Sequence, residues 1–357
     1  MDKIRNLKKS TKAAFLNYGI VLLFFIVVQI LANGGHLTNS FKGQLIPIVS
    51  YVIMALALNL VVGISGELSL GHAGFMSVGA FSGVIASMTM AGSVGNGGLR
   101  LLIAIVIGAL LAGLAGVIIG IPVLRLNGDY LAIVTLAFGE IIKNVMNCLY
   151  VGVDGAGLHM SFKDTASLNM AADGKVLING PMGATGVTKL STFTGGILLL
   201  LVVLIVIQNL VNSRTGRAIM AIRDNRIAAE ASGVPITKHK LIAFVTSAAI
   251  AGAAGALYAL NYSTIAPKKF DFNTSILILV FVVLGGIGNM TGSIIAAALL
   301  TVLPELLRKF ADYRMLIYAI VLILVMIATN NEKVRVFMRG LGKKGKDAEV
   351  KEEAANE

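Results

Sequence analysis

Residues 63–74 place a carboxylate and an imidazole, Glu67 and His72, among four glycines and two serines between two apolar stretches. A non-helical backbone is tolerated at membrane depth only inside protein or beside a water-filled cavity. A buried carboxylate within a span is by default a functional hypothesis. The segment is therefore a candidate for the path of a polar solute. The alternative is a short loop at the membrane surface, in which Glu67 is simply solvated.

A second break, GGIG at 285–288, divides another uncharged stretch that is too long for one helix. Broken spans often mark a transport site, because their freed backbone groups face the solute. Such groups offer donors to a carboxylate and acceptors to an ammonium without any fixed charge. We predict that the breaks at 65–73 and 285–288 line a solute path together. They are also candidates for corresponding parts of an internal repeat, although only their glycine content is alike.

A charged segment at 213–240 predicts a short helix with clear ends. Asp224 or Asn225 can cap its start, and Gly233 followed by Pro235 ends it. A helix this short is marginal alone, so it must dock on something. Two interpretations stay open: a charged loop at the membrane surface, or a helix that docks a cytoplasmic partner.

Other charged residues favour structural roles. Asp129 can cap the helix that follows it. Glu140 and Lys143 share one helix face within an apolar span, so we predict a neutralising pair rather than a proton relay.

The elements that must position these segments are membrane-spanning helices. Hydrophobic residues form 56% of the 357-residue chain and charged residues only 13%, against about 25% in a soluble domain. With about 20 apolar residues per span, we predict an all-α polytopic bundle of about ten transmembrane helices with glycine-broken segments. The predicted spans are residues 13–32, 44–64, 72–91, 100–121, 130–150, 193–212, 241–262, 272–289, 291–307 and 314–330.

Small residues recur at four-residue spacing in three of these spans, which allows helix backbones to approach closely. These residues are Gly79 and Gly83, Gly116 and Gly120, and Ala248, Gly252 and Ala256.

Basic residues cluster at 3–12, 214–240 and 333–351, and with ten spans all three clusters fall on one side. Lysine and arginine favour the cytoplasmic side, so we predict that both termini are cytoplasmic. The predicted organisation is a basic cytoplasmic N-terminus (1–12), a transmembrane domain (13–335) and a disordered cytoplasmic tail (336–357). Within the domain, the segment at about 213–240 is cytoplasmic. The loop at about 151–192 is extracytoplasmic, as a small ordered cap or a flexible loop.

Composition also excludes several classes of function. The net charge of +12 lies beside apolar spans, so it indicates anionic lipid rather than nucleic acid as the partner. Cys148 is the only cysteine and the four histidines have no ligand spacing, so we predict no metal site. The sequence contains no GxxxxGK[ST] phosphate-binding loop and no hydrolase triad, so we predict no catalytic residues. A pump built on this chain must take its energy from another chain.

The ordered set of motifs resembles the LivM-type permeases of branched-chain amino-acid ABC transporters over about 50–335. The matching segments are LNL at 58–60, GELSLGHA at 66–73, GDYLAIVTL at 128–136, GRAI at 216–219, AAEASG at 228–233 and GGIG at 285–288. One departure is that Gly292 is followed by serine, where many relatives have proline. The resemblance implies a second homologous permease subunit, two cytoplasmic ATPase subunits that bind ATP and magnesium, and an extracytoplasmic solute-binding protein. It implies no cofactor in this chain and a place in the cell (inner) membrane.

The resemblance and the breaks together give two sets of candidate residues. The predicted solute path comprises Asn59, Glu67, Ser69, Gly71, His72, Gly285, Gly286 and Gly288. The predicted ATPase-coupling residues are Arg217, Arg223, Arg226, Glu230, Ala231 and Gly233, with 229–231 resembling the coupling loop of ABC importers.

The leading functional prediction is an ATP-driven importer of branched-chain amino acids, and related permeases carry other amino acids, urea or short amides. The alternative is a standalone ion-coupled secondary transporter. It would need intramembrane carboxylates at the midplane, whereas Glu67 and Asp129 lie near span ends and Glu140 lies beside Lys143. A membrane enzyme is disfavoured because no polar residues converge.

Overall fold

The computed structural model describes residues 9–34, 39–124, 129–155, 157–171 and 174–307, with positions 316, 319, 320 and 323. Residues Met1–Thr301 form one compact unit, and Val302–Glu357 form a second. The helices are α1 (Lys9–Asn33), α2 (Asn39–Asn59), α3 (His72–Thr89), α4 (Gly97–Val123), α5 (Asp129–Cys148), α6 (Phe193–Asn212), α7 (Arg214–Asp224), α8 (Arg226–Ala231), α9 (Ile236–Ala259), α10 (Phe272–Gly285) and α11 (Met290–Leu306).

The all-α polytopic class is confirmed. Nine of the ten predicted spans each fall on one helix, and 193–212 has the same bounds as α6. The tenth span, 314–330, lies outside the described residues apart from the four isolated positions, and so does the predicted tail at 336–357. Among the described residues, five helical stretches are long and apolar enough to cross a membrane: Phe41–Ser65, Gly97–Val123, Tyr130–Cys148, Phe193–Asn212 and Ile236–Ala259. Shorter apolar helices cover Asn17–Leu31, Phe272–Gly285 and Met290–Leu306.

Helix α2 is the central helix of the described bundle. In its most apolar stretch 94% of the residues are buried, against 33% in α4 and α6. Because lipid and protein interior are equally apolar, hydropathy predicts the span but not this central position.

Helices α3, α4 and α9 pack through the small residues predicted from their spacing. A Cβ on Gly83 would lie 2.7 Å from the Ala256 Cβ, and one on Gly116 would lie 2.7 Å from the Ala248 Cβ. A Cβ on Gly79 would collide with the Gly252 backbone. The predicted small-residue seam is therefore a real three-helix contact, and it requires glycine at these positions.

The loop that follows α5 is an ordered cap rather than a flexible loop. It contributes β1 (Tyr150–Asp154), β2 (Gly157–Ser161), β3 (Lys175–Asn179) and β4 (Ala184–Thr185). β5 (Thr264–Ile265), which follows α9, completes an antiparallel sheet of order β2-β1-β3-β4-β5. The sheet therefore ties the 150–185 region to the C-terminal end of α9.

Helix α9 starts five residues before the predicted span, at Ile236 just after Pro235. Charged side chains at its start hid this extension from a hydropathy-based prediction. Its 24 residues span about 36 Å at 1.5 Å per residue. The sheet and the 213–240 segment therefore lie at opposite ends of α9.

Candidate functional site

The first break begins where α2 changes its hydrogen-bonding pattern. Residues Leu60–Ser65 form a π-helical turn, which ends at Gly66 with a left-handed φ of 75°. π-helical turns are frequent at functional sites. The chain then runs without regular structure to His72, the first residue of α3.

Asn59 joins the two predicted breaks. Its Oδ1 accepts a hydrogen bond of 2.8 Å from the Gly288 N–H, and its Nδ2 donates to Ser293 Oγ at 3.0 Å. A Cβ on Gly63 would collide with both Asn59 Oδ1 and the Gly288 backbone. The structure therefore brings the two breaks into direct contact, with a buried amide satisfying a backbone group that lipid cannot satisfy.

The second break is a tight turn between α10 and α11. Gly286 and Gly288 have positive φ angles of 91° and 82°. Asn289 precedes α11, and its side-chain Oδ1 caps that helix by accepting a hydrogen bond of 3.2 Å from the Gly292 N–H. A Cβ on Gly292 would overlap the Gly285 carbonyl, so the two helices meet backbone to backbone.

The end of the first break packs closely on α5. The Leu70 N–H donates to Thr135 Oγ1 at 3.1 Å, and a Cβ on Gly71 would collide with the Thr135 carbonyl. Ser275 of α10 accepts at 3.2 Å from the Ala73 N–H, one of the free donors of the α3 N-terminus.

His72 is held by two serines on different elements. The Ser247 hydroxyl donates to the Ala57 carbonyl at 2.5 Å, so it accepts from His72 Nε2–H at 2.7 Å. His72 Nδ1 shares a second hydrogen bond of 3.1 Å with the Ser69 hydroxyl. The imidazole therefore connects α2, α3 and α9.

The predicted coupling segment forms a corner between two short helices, α7 (Arg214–Asp224) and α8 (Arg226–Ala231), which we call the coupling corner. Ser213 caps α7 through the Gly216 N–H, and Asn225 rather than Asp224 caps α8, accepting at 3.0 Å from the Ala228 N–H. Gly233 has a φ of 79° and its N–H donates to Glu230 O at 2.9 Å, so it ends the helix as predicted.

The corner has a packed face and an exposed face. Ile219, Ile222 and Ala229 are buried. Ile227 is 80% exposed, and it lies between Arg226 and Glu230, which are also exposed.

Two cations of this region hold the first break. Arg223 Nη1 donates to the Gly63 carbonyl at 2.8 Å, while its other nitrogens bond the adjacent Asp224. Lys240 forms an ion pair with Glu67, and both side chains are about nine-tenths buried. The predicted coupling segment and the predicted solute path are therefore in contact, which neither motif alone predicted.

The predicted solute-path residues and the predicted coupling residues differ in their exposure to solvent. Asn59, Ser69, Gly71 and His72 are buried, whereas Glu67, Gly285, Gly286 and Gly288 are partly accessible. Arg217, Arg226, Glu230, Ala231 and Gly233 are exposed, and Arg217 bonds the Asn212 carbonyl nearby.

An apolar cavity of about 260 Å³ lies between α1, α2, α6 and α11. It is lined only by apolar side chains such as Phe24, Val49 and Ile294. Because it offers no hydrogen-bonding group, it does not suit a zwitterion.

The sequence model of the branched-chain amino acid transport system permease component matches residues 42–328, most of the chain. This chain belongs to the branched-chain amino-acid transport permease family. It is 36% identical over 286 residues to the high-affinity branched-chain amino acid transport system permease protein LivM of Salmonella typhimurium, covering 78% of this chain and 66% of that protein. It is also 36% identical over 292 residues to LivM of Escherichia coli, with the same coverage.

A shorter match of 31% identity over 126 residues is to the fructose import permease protein FruG of Bifidobacterium longum. It covers 34% of this chain and 37% of that protein. The chain spans just under two thirds of the length of the two LivM relatives. No solved structure matches it significantly.

Family membership and the apolar helices make this chain a multi-pass protein of the cell membrane. The permease motifs that carry the resemblance lie at the contacts described above. Their partners were missed for two reasons. Ser247 and Ser275 are single residues without a pattern, whereas Thr135 lies inside the 128–136 motif and Ser293 follows Gly292, but the sequence assigned neither a contact. The sequence marked Lys240 only as one member of the basic cluster at 214–240, and it gave no indication of the pair with Glu67.

Proposed function

We propose that this chain is the permease subunit of an ATP-driven importer that moves branched-chain amino acids, or related small amino acids and amides, into the cytoplasm. Two separate ATPase subunits bind ATP and magnesium, a second homologous permease completes the membrane domain, and an extracytoplasmic binding protein delivers the solute. The similarity to the LivM relatives, which are high-affinity branched-chain amino acid transport system permease proteins, supports the substrate class.

One observation carries the coupling role: Arg223 connects the exposed corner to the carbonyl of Gly63 in the break. The corner offers an apolar anchor, Ile227, between a cation and an anion. This composition suits a protein partner, because an apolar centre with a charged rim is the usual anatomy of an interface. A displacement of the corner by an ATPase would pull on the break through Arg223 and through the Glu67–Lys240 ion pair.

The solute path runs past the contact between the two breaks. Backbone groups at 63–71 and 285–288 are held by Asn59 and by Arg223, so a solute passes when these contacts rearrange. Weak backbone contacts suit a solute that must leave again.

The alternative, a standalone ion-coupled transporter, needs intramembrane carboxylates at the midplane for coupling. Glu67 lies near the end of its predicted span and pairs with Lys240, and Glu140 pairs with Lys143, which favours the ATP-driven importer.

Reconstitution tests the substrate and the energy source together. The chain is placed in proteoliposomes with its candidate permease partner, ATPase subunits and binding protein. A panel of leucine, isoleucine, valine, glycine, urea and acetamide is then offered. We expect uptake of the branched amino acids that requires ATP hydrolysis. Uptake by this chain alone, driven by a proton or sodium gradient, contradicts the proposal.

The corner is tested separately with Glu230→Arg and Gly233→Val. The first reverses the charge beside Ile227, and the second forces a β-branched residue into a left-handed conformation, at a cost of about 1–3 kcal/mol. We expect both variants to insert normally but to take up little solute per ATP hydrolysed. Lys189→Glu, an exposed charge reversal near the other end of α9, is the control and should transport normally. Normal coupling in both corner variants would mean that the segment is only a charged loop at the membrane surface and does not couple to an ATPase.

A further inference from the structure

A second cavity, with a largely apolar wall and two lysines in its lining, lies at the opposite end of α9 from the coupling corner. It has a volume of about 350 Å³, within the 300–1,000 Å³ range of small-molecule pockets. Tyr258 lines it from the last turn of α9, Tyr262 from the segment after that helix, Thr264 from β5, and Lys268 and Lys269 from the turn that follows. The cavity therefore opens at the sheet side of the molecule.

Its charge is positive and unbalanced. Both lysines are exposed, and neither forms an ion pair with a carboxylate in the described part of the chain. The cavity lining contains no acidic residue among the described positions. The nearby Asp271 is already engaged, because its carboxylate accepts from the Thr274 N–H at 3.0 Å and caps α10.

Asp271 also keeps its negative charge. Its partial burial raises its pKa, but hydrogen bonds from Thr274 and Asn273 and the charge of Lys143 outweigh this effect and lower the pKa overall. The carboxylate is thus held at the α10 N-terminus, and the two lysines are left for another anion.

Aromatic rings lead from the cavity into the bundle. The Tyr262 and Tyr258 ring centroids are 5.1 Å apart, Tyr258 and Tyr51 are 5.9 Å apart, and Tyr51 and Phe281 are 6.0 Å apart. Tyr51 lies on α2 and Phe281 on α10, the two helices whose inner ends meet at Asn59 and Gly288. The row of rings therefore follows the contact between α2 and α10, which ends at the two breaks.

We propose that this cavity is the entrance subsite of the permease, where Lys268 and Lys269 hold the carboxylate of an incoming free amino acid. The Tyr258 and Tyr262 rings contact its aliphatic side chain, and their faces attract its ammonium group. This inference rests on the proposed transport function and names the part of the solute that the chain recognises first. Two adjacent cations without an acidic partner select a carboxylate and disfavour an amide or urea.

Lysine footprinting tests the subsite without transport. The full chain in nanodiscs of neutral phosphatidylcholine is acetylated with a water-soluble reagent, with leucine or leucinamide present and no binding protein added. We expect leucine to protect Lys268 and Lys269, and leucinamide, which lacks the carboxylate, not to protect them. The exposed lysines Lys163 and Lys175 of the cap serve as internal controls and should be labelled equally in every sample.

A matched pair of variants tests affinity. Leucine binding is measured by saturation-transfer NMR for the double variant Lys268→Gln/Lys269→Gln and for the control Lys163→Gln/Lys175→Gln. Loss of charge-assisted contacts at exposed positions should weaken binding about five- to tenfold in the first variant only. Equal affinity in both variants, or equal protection by leucine and leucinamide, overturns the subsite.

The lipid headgroup is a second source of anions, and a separate sample distinguishes it. If anionic phosphatidylglycerol blocks labelling while leucine gives no protection in neutral lipid, the lysines bind lipid and the proposal is wrong. Failure of the subsite also differs from failure of the proposed function. ATP-driven leucine uptake without protection refutes the subsite alone, whereas protection without ATP-driven uptake refutes the transport mechanism and leaves the subsite standing.

Discussion

Replacing Arg223 with methionine removes one contact between the coupling corner and the first break. The methionine keeps an apolar stem against Gly66, where the arginine side chain now lies. What is lost between the corner and the break is the 2.8 Å hydrogen bond from Nη1 to the Gly63 carbonyl, and the exposed ion pair with Asp224 within the corner is lost as well. A hydrogen bond from a charged group contributes about 1.5–3 kcal/mol. The Arg223 side chain is 37% exposed, so screening reduces this to about 1 kcal/mol.

A loss of about 1 kcal/mol shifts the equilibrium between the attached and detached corner about fivefold. The assay is leucine uptake per ATP hydrolysed in proteoliposomes that contain the complete transporter. We expect ATP hydrolysis to continue and the uptake per ATP to fall about fivefold, because the corner moves without pulling the break.

Arg214→Met is the matched control. Arg214 lies on the same helix and is also exposed, and among the described contacts it forms no hydrogen bond with the first break. It should therefore lose little coupling. An equal loss in both variants would indicate a general charge effect, and unchanged coupling in Arg223→Met would refute the mechanical link.

Three further predictions use other contacts of the same region. Glu67→Lys and Lys240→Glu alone should each lower uptake by about tenfold or more, since breaking a largely buried ion pair costs several kcal/mol. The double variant, which restores the pair, should recover most of the uptake. If the losses of the two single variants add up in the double variant, the ion pair is not a link. Gly286→Leu forces a side chain to a φ of 91° at about 1–3 kcal/mol and should abolish uptake while the folded protein still accumulates; normal uptake would place the path elsewhere. With Cys148 replaced by serine, a cysteine at Ile227 should react only with membrane-permeant reagents, and labelling by an impermeant reagent from outside would overturn the topology.

Much of the fold was predictable because apolar length, glycine and proline act locally. Helix α6 was predicted to the residue, and α8 was predicted from its caps, although the choice between Asp224 and Asn225 needed the structure. The sheet was not predicted. Its strands are short, and β5 pairs with a strand about 80 residues earlier in sequence, so no local pattern marks it.

The candidate site was predictable in its segments but not in its contacts. The Asn59–Gly288 bond joins residues 229 apart, and the Glu67–Lys240 pair joins residues 173 apart. One sequence contains no signal for such pairs. The polar residues of the first break suggested a solute-lining surface, but in the structure Asn59, Ser69 and His72 satisfy one another or neighbouring helices. Their types were informative because a buried polar group needs a partner, and that partner can be protein as well as solute.

The distribution of these bonds indicates which part of the molecule can move. The breaks are held by a few individual contacts, chiefly the hydrogen bonds of Asn59 and Arg223 and the Glu67–Lys240 ion pair. Each hydrogen bond contributes about 1 kcal/mol net, and a largely buried ion pair costs several kcal/mol to break. Because these contacts can rearrange locally, we expect the breaks to open without unfolding of the bundle.

The seam of α3, α4 and α9 behaves differently. Its close backbone contacts around Gly79, Gly108 and Gly252 lie within continuous helices, whereas those of the breaks lie in a π-helical turn and in a tight turn. Close packing of this kind has no intermediate arrangement, so the seam should move as a rigid body. Hydrogen exchange tests this division: the Gly288 amide should exchange faster than the Gly252 amide, and Arg223→Met should accelerate only the former. Equal exchange rates at the two amides would mean that the bundle opens as a whole, and the coupling corner would then act on the entire permease rather than on the breaks.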